Sequence, residues 1–253
     1  MATPAHREAK NRLTDMDWQT SPQNLLNWAD KGALQLNKLI PALKSLALSE
    51  GSNVNVDETW LRYRTVDEKR KTYMWCLVNK EARIVIFFYE DTEDKDGNQK
   101  HGGRCRNVLS DFIGEAKLKS LQSDGYNVYT CLDDELVDID HLCCMAHARA
   151  KFKYVLNYLH TFWAQILAYR NDGEYSIDNM AAERAIRPIT VQRKNSMFFG
   201  SVKGVKNSAV FNTFIETCKQ LGVSFRDYFC RLIQELKKGR KDYENLLPMT
   251  IYK

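Results

Sequence analysis

No run of apolar residues in this chain approaches the roughly 18 needed to cross a bilayer, and the opening MATPAHREAK has no apolar signal-like segment. These absences predict a soluble, cytoplasmic protein with no membrane partner. A disulfide framework is missing too: the seven cysteines are odd in number and irregular in spacing, as expected of small core residues in a reducing compartment. There is no internal repeat and no low-complexity tract, which excludes a solenoid. Acidic residues are absent from one stretch. From Arg184 to Lys206 the sequence has six basic residues and no acid, whereas 91–96 (DTEDKD) and 133–140 (DDELVDID) are acidic. A net charge of +5 is mild, but basic charge gathered in one stretch suggests a surface for a polyanion. What is present, 44% hydrophobic residues in 253, is enough to bury one sizeable core.

The hydrophobic period changes along the chain. Residues 21–48 carry leucines at 25, 26, 36, 39, 43 and 46 behind Pro22, a helical spacing that Gly32 is expected to break into two helices. Segments 53–64, 71–79 and 83–90 are rich in Val, Ile, Tyr, Trp and Phe and read as a meander of three strands. DTEDKDGNQKHGG reads as a loop and RCRNVLSDFIG as a helix. A fourth strand is expected at 118–122, a short helix at 126–132 and a fifth strand at 137–144. Helices follow over 146–170, over SIDNMAAERAIR with Pro188 as its stop, near 206–220 and at 225–237. The order predicts an α/β fold: a mixed five-stranded sheet flanked by helices, with an N-terminal helical segment and further helices at the C-terminus. Ribonuclease-H-like cores share this order.

Three acids stand out, each with two readings. Strand alternation puts Asn55 and Asp57 on one face and Val54, Val56 and Glu58 on the other, so adjacent Asp57 and Glu58 cannot serve one site. Asp57 is then either a solvated acid near a strand end or a charge held in a central strand for a ligand. Asp124, in LQSDGY, is either an ordinary Asp-Gly turn or a carboxylate at a strand end facing a crevice. Glu183 shares a helix face with Asn179 and Arg187; locally it reads as the partner of Arg187, an ion pair worth a few tenths of a kcal/mol. Taken together, the three lie on elements that this topology brings side by side. Clustered carboxylates repel one another unless a divalent cation sits among them, and oxygen ligands suit phosphodiester chemistry with two metal ions. HLCCMAH offers Cys144 and His147 at C-x2-H spacing. A structural zinc site wants four ligands, so the motif reads first as a buried thiol and a polar histidine near the active site. In RPITVQRKNSMFFGS, Arg193 and Lys194 suit phosphate contacts, and Phe198 and Phe199 suit the core.

VNVDETW, LQSDGY, the C-x2-H of CCMAHARAKF and above all DGEYSIDNMAAERAIRPITVQRKNSMFFGS resemble the catalytic core of insertion-sequence transposases of the IS-66 type. The likeness runs over about residues 20–238. It implies a DDE transposase of ribonuclease-H-like fold in which Asp57, Asp124 and Glu183 are the catalytic, metal-binding acids. Cys144, His147 and Asn179 then lie beside the site, and Arg184, Arg187, Arg193, Lys194, Lys203 and Lys206 are DNA-binding candidates. It further implies Mg2+ or Mn2+, two ions, as cofactor. The implied partners are DNA (transposon ends and target), further copies of the chain in an active homo-oligomer, and accessory proteins of the same element. The expected organisation is a helical segment over 1–50, a catalytic domain over 51–240 and a tail over 241–253. Family members have a longer N-terminal region and a long helical insertion after the C-x2-H, so this chain reads as a shortened copy. Two other readings fit the same residues: an inactive relic that binds DNA non-specifically, and a structure-selective nuclease of the same fold.

Overall fold

The computed structural model describes residues 20–64, 69–89, 91–93, 99–103, 106–124, 139–145, 147, 155–196 and 199–251, with backbone only at 69, 91–93, 99–101, 106, 155–157 and 194–196. The predicted helix at 126–132, Phe198 and the side chain of Lys194 lie outside the described residues, as do most of the 133–140 acidic stretch and the start of the 146–170 helix.

Two N-terminal helices come first, α1 (Pro22–Asn37) and α2 (Ile40–Ala47). Ser21 caps α1 by accepting from the Asn24 N–H, with Pro22 at the first turn. The break between them falls at Lys38–Leu39, nearly two turns later than Gly32 led us to expect. Gly32 is buried inside α1, where a Cβ would stand 3.2 Å from the Phe229 ring and 3.3 Å from that of Phe211. It serves close helix packing; Pro41, which suits a first turn, marks the start of α2.

The meander follows as predicted: β1 (Asn53–Arg64), β2 (Lys69–Asn79) and β3 (Ile84–Phe88) pair antiparallel. The segment read as a loop contains a small hairpin, β4 (Asp91–Glu93) with β5 (Gln99–His101). Helix α3 (Arg106–Ile113) leads to β6 (Ser120–Ser123) and β7 (Asp140–Cys143), both parallel to β1. The main sheet therefore runs β3-β2-β1-β6-β7, with β1 at its centre. The described chain continues through α4 (Val155–Leu167), α5 (Met180–Ser196), α6 (Val202–Leu221) and α7 (Phe225–Lys237).

Helices cover both faces. On one, Val54, Val56, Trp75, Leu77, Ile84 and Ile86 pack against Leu36, Leu39 and Leu43 and against Phe214, Tyr228 and Leu232. Residues of the 22–47 helices and of the C-terminal end, Leu246, Leu247 and Ile251, thus share one core with the sheet. On the other face, Leu61, Tyr63, Met74, Cys76 and Val78 meet Ala182, Ala185, Ile186 and Ile189 of α5. Helix α6 closes the β3 edge: Thr217 and Thr213 hydroxyls accept the N–H groups of Val85 and Phe87 at 3.0 and 2.7 Å. An edge strand left open is a template for aggregation, and these threonines satisfy it. The arrangement is an α/β sandwich consistent with a ribonuclease-H-like fold, as predicted.

Helix α5 departs from expectation at both ends. It starts at Met180, whose N–H is accepted by Asp178 Oδ1 at 3.0 Å, and passes through Pro188 to Ser196. A proline inside a helix frees the carbonyl four residues earlier and costs about 3 kcal/mol against alanine. Ala182, Ala185, Ile186 and Ile189, all buried against the sheet on both sides of Pro188, outweigh that local cost.

Candidate active site

Register brings the first two acids together. Asn55 pairs with Gln122 where β1 and β6 run parallel, and Gln122 with Leu142 across to β7. Two residues further along each strand stand Asp57, Asp124 and Cys144, at one level and on one face, at the C-terminal ends of the β6 and β7 pairing. That is where open α/β sheets bind ligands. Asp57 also sits opposite Cys76 on β2, so it belongs to the middle of the sheet and not to a solvated strand end.

The third acid arrives from above. The loop 172–179, DGEYSIDN, is tied down residue by residue before α5 begins. Lys119 pairs with Asp172 and Glu174, both at 2.7 Å, and the Tyr175 hydroxyl donates to Asp140. Gln122 Nε2 donates to the Ser176 carbonyl at 2.7 Å, and the Met145 N–H donates to that of Ile177 at 3.1 Å. Fully buried Asn179 is the hub. Its Nδ2 donates to the Val56 carbonyl at 2.8 Å, its Oδ1 accepts from Asn55 at 3.0 Å, and its backbone N–H lies 3.2 Å from Cys144 Sγ. Asn55 Nδ2 also donates to Gln122 Oε1 at 2.7 Å. These bonds lock the start of α5 to β1, β6 and β7, and so aim Glu183, one turn along, over the strand ends.

Glu183 does not pair with Arg187 among the described residues. Its Oε1 lies 3.4 Å from His147 Nδ1 and 3.9 Å from Cys144 Sγ. The local ion-pair reading fails because Arg187 points outward and is exposed, whereas Glu183 turns toward β7. His147 has its pKa raised to about 9, chiefly by its contact with the Cys144 sulfur, then by the charges of Glu183 and Asp124. Asp57 is pushed up to about 7 by burial first, then by the charges of Glu58 and Asp124, with Glu183 adding to them. The Glu58 N–H, donating to Asp57 Oδ1 at 2.8 Å, opposes that rise. The charges of Asp124 and Glu183 therefore both reach Asp57. The Tyr158 hydroxyl holds the Asp124 carbonyl at 3.2 Å.

The basic residues are spread over several surfaces. Arg184 and Arg187 are exposed on α5, beside Glu183. The Arg193 guanidinium lies over the Trp60 ring, 4.1 Å from its centroid, and donates to Thr59 Oγ1 and the Trp60 carbonyl. Lys203 pairs with Asp30 of α1, and Lys206 stands 6.0 Å from the centre of the Tyr89 ring. Those last three residues pin α5 and α6 to the sheet and to α1.

Carboxylates on facing elements, one of them pushed up to about 7 by burial first and by neighbouring acids next, are the kind of all-oxygen donor set a hard divalent cation takes. The sequence reading put Asn55 on the face of Asp57 without giving it a role, and it missed the supporting residues Gln122 and Ser176. Their signal was there: Asn55 and Gln122 each precede an acid by two residues, which puts a polar side chain on the same strand face as that acid.

With this geometry in hand, relatives are informative. The sequence matches the model of the Transposase IS66 family over residues 1–157 and 150–207. The chain belongs to this family. The first matched stretch of the IS66-family chain contains Asp57, Asp124, Cys144 and His147, and the second contains Asn179 and Glu183. It is 33% identical over 102 residues to the uncharacterized protein y4qI of Sinorhizobium fredii (strain NBRC 101917 / NGR234), covering 40% of the chain and 19% of that protein. To the uncharacterized protein y4jD of the same strain it is 29% identical over 121 residues, 46% of the chain and 23% of the relative. A third relative, y4hP, is 36% identical over 64 residues, 25% of the chain and 12% of its own length. The IS66-family chain thus covers less than a quarter of each of these relatives. No helix among its described residues is long and apolar enough to cross a membrane.

Proposed function

We propose that this chain carries the catalytic core of a DNA transposase, with Asp57, Asp124 and Glu183 acting together on phosphodiester bonds at the ends of a mobile element. The observation that carries the reading is the common level of Asp57 and Asp124 on neighbouring parallel strands, with the charge of Glu183 reaching Asp57 from α5. Membership of a transposase family supports it. Mg2+ or Mn2+, two ions on this reading, would supply neutralising charge and Lewis-acid activation when bound among the acids.

The chain's own residues orient and hold. The Glu58 N–H fixes one oxygen of Asp57, Tyr158 steadies the backbone at Asp124, and Asn179 sets the start of the helix that bears Glu183. Arg184 and Arg187, exposed beside Glu183, receive phosphates flanking the cut. In the cutting step a water oxygen bonds to phosphorus as the P–O3′ bond breaks, leaving a 3′-hydroxyl and a 5′-phosphate. In the transfer step that 3′-hydroxyl attacks a phosphodiester of target DNA and displaces its 3′ oxygen. Joining two ends to one target calls for more than one copy of the chain.

The test uses purified chain, Mg2+ or Mn2+, and duplexes bearing the ends of the element that encodes it. Nicking is expected, and Glu183→Gln should slow it at least about 100-fold, as loss of several kcal/mol of charge stabilisation requires. Undiminished cutting by the variant refutes the assignment. Salt-sensitive DNA binding with no metal-dependent cutting by the native chain would instead favour a non-enzymatic DNA binder. Cutting of RNA–DNA hybrids regardless of end sequence would favour a structure-selective nuclease.

A further inference from the structure

Cys144, His147 and Glu183 present Sγ, Nδ1 and Oε1 within 4.8 Å of one another. We propose that these three atoms form a second metal site, selective for a thiophilic divalent cation of the zinc class, which shares Glu183 with the acid trio. The distances carry the inference. A tetrahedral zinc with ligands at roughly 2.0–2.3 Å sets its donors about 3.3–3.8 Å apart. Glu183 Oε1 lies 3.4 Å from His147 Nδ1 and 3.9 Å from Cys144 Sγ, with Sγ and Nδ1 within 4.8 Å of each other, so small side-chain shifts bring the donors to such a polyhedron.

The surroundings suit a metal thiolate. Cys144 is fully buried, and the backbone N–H of Asn179 stands 3.2 Å from its sulfur, where it stabilises negative charge. His147 Nδ1 has no accessible surface and faces the other two donors. The ligands come from two separate parts of the fold: Cys144 and His147 from the segment that follows β7, and Glu183 from α5. Three protein donors leave a fourth position for water, the pattern of an open zinc site. Sulfur and nitrogen donors discriminate against Mg2+, which demands oxygen, so the two cation classes choose different neighbours of the same carboxylate. Occupancy of the soft site holds Glu183 where it already lies, against His147 and Cys144, and so withholds it from Asp57 and Asp124. This exclusivity rests on the role proposed above for Glu183; the binding itself does not.

Cobalt(II) titrated into the purified full chain at neutral pH reports the site, through thiolate-to-metal charge-transfer absorption and the visible bands of tetrahedral cobalt. The native protein should show both, and zinc should bleach them. Cys144→Ser should abolish the charge-transfer band and weaken binding at least tenfold. His147→Gln should weaken it similarly, and circular dichroism of both variants checks that they fold. Asp57→Asn should keep the spectrum, since Asp57 belongs only to the acid trio. In the native chain excess Mg2+ should lower apparent cobalt affinity, and in Asp57→Asn that competition should fade. Absence of the charge-transfer band, its persistence in Cys144→Ser, or its loss in Asp57→Asn overturns the soft site. Indifference to Mg2+ overturns the sharing. DNA cutting without the band defeats this inference alone, whereas the band without cutting defeats only the proposed transposase activity.

Discussion

A carboxylate two residues past the last β1–β6 pairing, opposite Cys76 and within reach of three other acids, keeps its proton far above the range of an ordinary aspartate. Asp57 would titrate near 3.8 in the unfolded chain and at about 7 in the fold, so between those values only the folded state holds the proton. Stability from this residue is therefore fully present below about pH 4 and is lost as pH rises through about 7. In metal-free buffer Asp57→Asn should stabilise the protein at about pH 8 by on the order of 2–4 kcal/mol, with the gain shrinking toward zero near pH 4. Urea unfolding across that range measures it. A gain independent of pH, or a loss at high pH, would show that Asp57 is compensated by some other charge. The two readings of Asp57 open in the sequence, solvated acid or ligand-holding charge, differ physically in burial, and burial was not legible from alternation alone. Glu183 shows the same limit. Its neighbours in sequence, Arg184 and Arg187, pointed to a surface ion pair, while its spatial partners, His147 and Cys144, lie on a different element.

At the scale of elements, strands read well and helix punctuation read poorly. β1 was expected at 53–64 and lies there, because β-branched and aromatic alternation reports a pleated, half-buried surface directly. Glycine and proline are weaker signals, since packing can override both. Gly32 was read as a break, yet it lies inside α1 as the gap into which the Phe211 and Phe229 rings fit. Gly32→Val should consequently destabilise the fold by roughly 1–3 kcal/mol through overpacking between α1, α6 and α7. Thermal unfolding at constant pH checks this, and a variant at least as stable as the native chain would mean that the rings move aside. Pro188 was read as a stop, yet α5 carries it because buried residues flank it on both sides. The β4–β5 hairpin was invisible in a polar segment with no apolar alternation. Neither correction touches the position of Glu183, which depends on the beginning of α5 and its anchorage through Asn179.

On the scale of the whole molecule, a central β1, the parallel strands β6 and β7 beside it and a helix laid across one face meet where the β6–β7 pairing ends. The shared level of Asp57 and Asp124 was legible in sequence because strand order predicts which ends meet. Its scaffold was not, because Asn55, Gln122, Ser176 and Tyr175 act through contacts between residues far apart in the chain. The basic stretch likewise resolved into exposed arginines on α5 and residues that staple helices to the body. The central claim is that Asp57, Asp124 and Glu183 form one site for a hard divalent cation, and diffraction from crystals soaked in Mn2+ tests it most directly. Anomalous density among these three carboxylates, lost in Asp57→Asn, is the predicted result. Fully ordered acids with no anomalous density among them, in crystals saturated with Mn2+, would contradict it.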